Sequence, residues 1–216
     1  MQTLDIVMLL TCVLLVLSGT TYGIKFLKKR NFLLGFEWLI VAFSGTNLLI
    51  YLLTQDKLHY SISFFCDAFS RGFGIPIVTV LGLMAVTHNY KPSTFKDIVI
   101  FAVTFAGTFV LIDTEFMVKP LPYFYLIMWT GFSVYLGYFI WKLARFGERL
   151  HAFGVALAAV SALAVASIYD FFPIPGDESK GLFLCIALTT WSYLMIQLYY
   201  AYLAFERAKR TMVYAG

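Results

Sequence analysis

Charge is scarce in this chain. Lys, Arg, Asp and Glu make up 13% of its 216 residues, against 61% hydrophobic and 19% aromatic. A soluble domain is nearer a quarter charged. The shortfall, with a mean hydropathy of +0.81, excludes the soluble class and points to an integral membrane protein. Cysteine is scarce too. Cys12, Cys66 and Cys185 lie in apolar stretches without CxxC or metal-ligand spacing, so they read as small buried hydrophobes. No Asn-x-Ser/Thr acceptor site occurs, which fits a bacterial protein. No basic run is long enough, or interleaved enough with aromatics, to suggest nucleic acid.

Catalytic and cofactor signatures are also missing. His59, His88 and His151 show no HExxH spacing, which speaks against a zinc hydrolase or a bis-histidine haem protein. There is no GxSxG elbow. The "GFG" at 72–74 follows a helical stretch rather than a strand, so it is no phosphate cradle. A retinal protein needs a lysine in its last helix, and none lies between Gly181 and Ala204. The "YD" at 169–170 and "PGD" at 175–177 share one loop, whereas the paired aspartates of an intramembrane protease sit on two spans. We therefore expect no cofactor, no metal and no nucleic-acid partner, and an enzyme is the weakest of the functional readings.

What the chain has is long apolar runs. A helix needs about 20 such residues to cross a hydrocarbon core of about 30 Å. Seven segments qualify, at about 3–24, 32–54, 61–88, 97–116, 121–142, 152–172 and 181–204. They are continuous rather than alternating, so they read as helices, whose backbone groups are all paired internally. Turn signals separate them: Lys91-Pro92-Ser93, Lys119-Pro120-Leu121-Pro122 and Pro173-Ile174-Pro175-Gly176. The basic cluster Lys25, Lys28, Lys29, Arg30 follows the first run instead of preceding it, unlike a signal peptide. The expected fold is one all-α domain over 1–216, a polytopic seven-helix bundle. One set of loops carries twelve Lys and Arg, the other only Lys57, Lys119 and Lys180. The positive-inside rule then places the N-terminus outside and the C-terminus in the cytoplasm, with a bacterial inner membrane as the expected location. The small residues of the sixth run, "GVALAAVSALAVAS", predict a helix central to the bundle.

Polar residues inside these runs are the functional candidates, because lipid tolerates them only against a cavity or a partner. In the third run Asp67 and Arg71 are four apart and share a helix face, with Ser70 beside them. Gly72, Gly74 and Pro76 follow; a proline there removes a backbone hydrogen bond and predicts a break or hinge. Interrupted spans of this kind point to binding sites in transporters. Asn47, Asp67, Arg71, Ser70, Asp170 and Thr190 fall at similar expected heights and are read as one outer vestibule. Glu37, Ser44 and Tyr51 form a stripe down the second run, and Thr189, Tyr193 and Gln197 another down the seventh. Glu37 and Gln197 are the expected inner route. The competing reading makes Asp67 and Arg71 a structural pin, or places residues 61–71 at the membrane surface.

The leading expectation is a small transporter or channel for a polar or charged solute or ion. The alternative is a membrane sensor or assembly module that binds a ligand, lipid or protein without transport. The third is a membrane enzyme acting on a lipid. The lipid bilayer is the expected partner, and a homo-oligomer is left open.

Overall fold

A computed structural model describes residues 3–172, 174–178 and 180–215, with side chains to residue 211. Among them are seven long helices, each long and apolar enough to cross a membrane, and no strand. They are α1 Thr3–Lys28, α2 Phe32–Thr54, α3 Lys57–Thr87, α4 Thr94–Asp113, α5 Leu121–Arg145, α6 Arg149–Phe171 and α7 Gly181–Ala215. Seven helices of this length and composition fit a multi-pass membrane protein.

The helix limits follow local chemistry. Asn31 caps α2, its side chain accepting from the Leu34 amide. Gln55, left-handed at φ 58°, closes α2, and Asp56 opens α3 by accepting from Leu58 N. A left-handed residue followed by an N-cap makes a tight reversal. Ser93 caps α4 and starts it three residues before the apolar run suggested. Lys25 and Lys28 extend α1 past the apolar run by closing its last turn, where cations suit the helix dipole. Of the turn expected before α7, Pro173 lies outside the described residues, while Gly176 adopts φ 81°.

Six helices form a ring in the order α1, α2, α3, α5, α6, α7, with α7 returning to α1; α4 packs outside it, on α3. The small residues of α6 let α5 and α7 close on either side, but α6, a ring member, is not the most buried helix. That helix is α3, with 67% of its most apolar stretch buried against 39% for α6. The seam between α1 and α2 is close. A Cβ at Gly19 would stand 2.8 Å from the Trp38 carbonyl oxygen and 2.9 Å from the Ala42 Cβ. Outward faces carry Leu10, Leu17, Val103, Ile127 and Val160, as suits lipid contact.

The core divides along the bundle axis. At the end holding the basic loops, the ring interior is filled by Phe26, Trp38, Leu83, Phe139 and Phe205. Phe26 meets Trp38 edge-on at 5.9 Å, and Phe139 stacks on Phe205 at 5.6 Å. At the lysine-poor end the interior opens into a cavity of about 480 Å³.

Gly19→Leu is expected to separate α1 from α2 and lower stability by about 1–3 kcal/mol, the usual cost of overpacking. A methyl added at Gly131 meets nothing within 4 Å, so Gly131→Ala is expected to be neutral or stabilising. Thermal denaturation in detergent checks both.

Candidate functional site

The site begins with α3. Pro76 has no amide hydrogen, and in an α-helix its ring would collide with the carbonyl of Gly72. The chain does not break there, as the sequence suggested. Residues Ser70–Thr79 wind instead as a π-helix, continuous with α-helix on both sides. The wider turn admits the proline ring, while the open sides of Gly72 and Gly74 face Leu111 and Glu37 on neighbouring helices. π-Helical insertions concentrate at functional sites. The hinge expected at Gly72, Gly74 and Pro76 is thus a register change rather than a gap.

Arg71 lies at the start of this segment and is 7% exposed. Its Nη2 donates to Asp170 Oδ2 at 2.8 Å, while Nη1 lies 3.8 Å from Asp67 Oδ2. The four-residue pair read from the sequence is therefore the looser contact, and the distant Asp170 is the tighter. The guanidinium also lies between two rings, 4.1 Å from the Tyr125 centroid and 3.7 Å from that of Tyr169. Stacked cations of this kind gain most when desolvated. Arg71 thus joins α3 to α5 and α6. The sequence reading missed Tyr125. The available signal was height, since Tyr125 begins the fifth span at the end where Asp170 closes the sixth.

The cavity sits within the ring beside this clamp. Its polar lining lies mainly on α2 and α3, where Ser44, Tyr51, Ser63, Asp67, Ser70 and Arg71 stand among Val41, Leu48, Leu52, Phe64 and Ile75. The lining from α1 and α7 is mostly apolar, with Met8, Leu15, Phe183, Leu184 and Leu188. Lys180, its ammonium 5.1 Å from the Tyr169 ring centroid, and Asp5 also line it. Several lining positions are small: Gly45, Ala166, Gly181 and Ala187. Side chains there do not reach across the ring, which leaves the space open.

The other expected residues divide. Asn47 is buried on α2 and joins α3 through His59, its Oδ1 2.9 Å from His59 Nδ1. Ser44 donates to the Ser63 carbonyl at 3.1 Å. These contacts, with Asn31 Nδ2 donating to the Gly82 carbonyl at 2.8 Å, set the α2–α3 register. Thr190 does not join the vestibule. With Thr189 and Tyr193 it lines a separate, shallower groove of about 460 Å³ that also includes Val7 and Leu157. Gln197 donates to the His151 carbonyl at 3.3 Å and packs over Gly154, which joins α7 to α6. The two stripes expected to continue inward therefore face different neighbours: Ser44 and Tyr51 face the cavity, Gln197 faces α6.

Glu37 is fully buried one layer behind the polar wall. Its carboxyl lies against Gly74, where a methyl group would overlap both oxygens. The Ser70 hydroxyl is beside it but outside hydrogen-bond geometry, and neither oxygen has a hydrogen-bond partner among the described residues. Only a glycine at 74 lets this side chain fit. No group of three or more His, Cys, Asp or Glu able to hold a metal occurs among the described residues.

Arg71→Ala is expected to leave Asp170 and Asp67 uncompensated, lowering stability by about 3 kcal/mol or more. Arg71→Lys is expected to fall between, since an ammonium lacks the flat fork that fits two rings and a carboxylate. Thermal denaturation of the purified variants measures both. Gly74→Ala is expected to cost about 1–3 kcal/mol alone, and less than half of that in a Glu37→Ala background, because the two changes share one contact. A double-mutant cycle on melting temperature reads this, and additive effects would rule the contact out.

Comparison with known proteins adds no kin to this geometry: no family model, no curated protein and no solved structure matches the chain.

Proposed function

We propose that this chain is a multi-pass protein of a bacterial cytoplasmic membrane that binds a small amphiphilic molecule from the outer side. The excess of Lys and Arg in one set of loops supports the orientation, with the lysine-poor end outside. One observation carries the binding reading: a cavity of about 480 Å³ whose largely apolar lining is interrupted by a polar cluster on α2 and α3, with Ser44, Ser63, Asp67, Ser70 and Arg71. Its size lies within the range of small-molecule sites, and it combines apolar lining with a few polar groups, as such sites do. A small polar solute would leave the Leu184 and Leu188 side unmatched. A molecule with an apolar body and a polar end satisfies both the apolar lining and the polar cluster.

The cavity is closed toward the basic end. Leu15, Val41, Ile75 and Leu188 belong both to its lining and to the packed core. Beyond them the basic half is filled by aromatic and leucine side chains. This favours ligand binding, as in the sensor or assembly reading, over an open channel. Transport is the second reading, favoured by the π-helical segment of α3: rewinding it as α-helix would turn the following residues relative to Arg71 and rearrange the floor.

Cysteine accessibility in sealed proteoliposomes tests the reading. In a chain whose three cysteines are replaced, Ser44→Cys and Leu184→Cys are expected to react with a membrane-impermeant thiol reagent from the lysine-poor side only. Leu143→Cys, in the filled half, is expected to stay unreactive. No reaction at 44 and 184, or equal reaction from both sides, would overturn a cavity open to the lysine-poor side.

A further inference from the structure

We infer that the molecule taken by this cavity is a cationic amphiphile: an apolar body ending in an amine or quaternary ammonium that docks against Asp67. This rests on reading the cavity as a ligand site, and it follows from how the charges around Arg71 are used. Arg71 is the cation at the heart of the polar wall, but it is already engaged. Its Nη2 is held by Asp170 at 2.8 Å, Nη1 turns to Asp67, and its Cζ lies 4.1 Å from the Tyr125 ring centroid and 3.7 Å from that of Tyr169. It is 7% exposed, so an anionic headgroup finds little of the guanidinium open to it.

Asp67 is held differently. It lines the cavity, its side chain is 42% exposed, and its contact to Arg71 at 3.8 Å is longer than a hydrogen bond. With both acids ionised, Asp67, Arg71 and Asp170 carry one negative charge in excess, and the carboxylate open to the cavity is that of Asp67. An ammonium placed there meets a carboxylate whose present partner is loosely engaged. An incoming carboxylate or phosphate meets a like charge, which weakens binding.

The aromatic and hydroxyl groups of the lining agree. Tyr60 and Trp191 put aromatic rings on the cavity, and such faces attract ammonium groups. Ser44 and Ser63 offer hydroxyl oxygens near Asp67 on the same wall. The second cation of the lining, Lys180, precedes α7 and stands over the Tyr169 ring at 5.1 Å. Asp5, in the first turn of α1, is a further acid on the lining. The apolar body then lies along Leu184, Leu188 and Met8.

The test uses the full chain in phosphatidylcholine nanodiscs, cysteine-free except for Leu184→Cys. It measures how three probes slow reaction of that cysteine with an uncharged maleimide: decyltrimethylammonium, decanoate and decanol. The ammonium is expected to protect at a concentration at least tenfold below the other two. Asp67→Asn is expected to erase that margin and leave protection by decanol unchanged, while Asp67→Glu keeps it. An unchanged rate of probe-free reaction shows that the variants retain the cavity. Protection by all three probes at equal concentrations, or a margin that survives Asp67→Asn, would overturn the cation assignment and leave the cavity as a ligand site. Protection by none would overturn both.

Discussion

A guanidinium inside an apolar helix bundle is the constraint around which the lysine-poor half is built. Arg71 costs too much to bury alone, so it draws partners from three helices: Asp67 from its own, Tyr125 from α5, and Tyr169 with Asp170 from α6. Removing water strengthens each of these contacts and makes their loss more damaging. The clamp therefore fixes how α3 stands against α5 and α6. It also decides which charge is left for the cavity. Two carboxylates share one cation, the tighter bond goes to Asp170, and Asp67 remains open.

The π-helical segment carries Arg71 into that position. Pro76 forbids the ordinary helical bond, and the chain answers with a wider turn instead of a gap. Gly74 faces α2 in the same segment, so the Glu37 carboxyl has room to be buried there. With Asn31 on the Gly82 carbonyl, Ser44 on Ser63 and Asn47 on His59, this makes a polar seam along the antiparallel α2–α3 pair. Lipid gives no hydrophobic drive between spans, so packing and polar contacts of this type set the register.

The same bundle is filled at one end and open at the other because of side-chain size. Phe26, Trp38, Phe139 and Phe205 reach into the ring at the basic end. Gly45, Ala166, Gly181 and Ala187 stop short of its middle at the lysine-poor end. The cavity is thus a product of small residues on α2, α6 and α7, with the polar face of α3 as one wall.

Helix number and rough limits were legible in the sequence, because each span must supply its own unbroken apolar length; residues 32–54 and the start at 181 match the structure. The intramembrane polar residues were legible as exceptions to that rule, and Asp67, Arg71, Ser70 and Asp170 do come together. Height along the axis can be read from a sequence, but rotation about each helix cannot. For that reason Thr190 turned out to face another groove, Gln197 to face α6, and Tyr125 to be overlooked. The sequence by itself determined an all-helical, seven-span chain with a charged pair and a proline in its third span. Only the tertiary structure decided that Asp170 outcompetes Asp67 for Arg71, that Pro76 makes a π-turn rather than a break, and that one end of the ring stays open. Each of these depends on which side chains from distant segments share one volume.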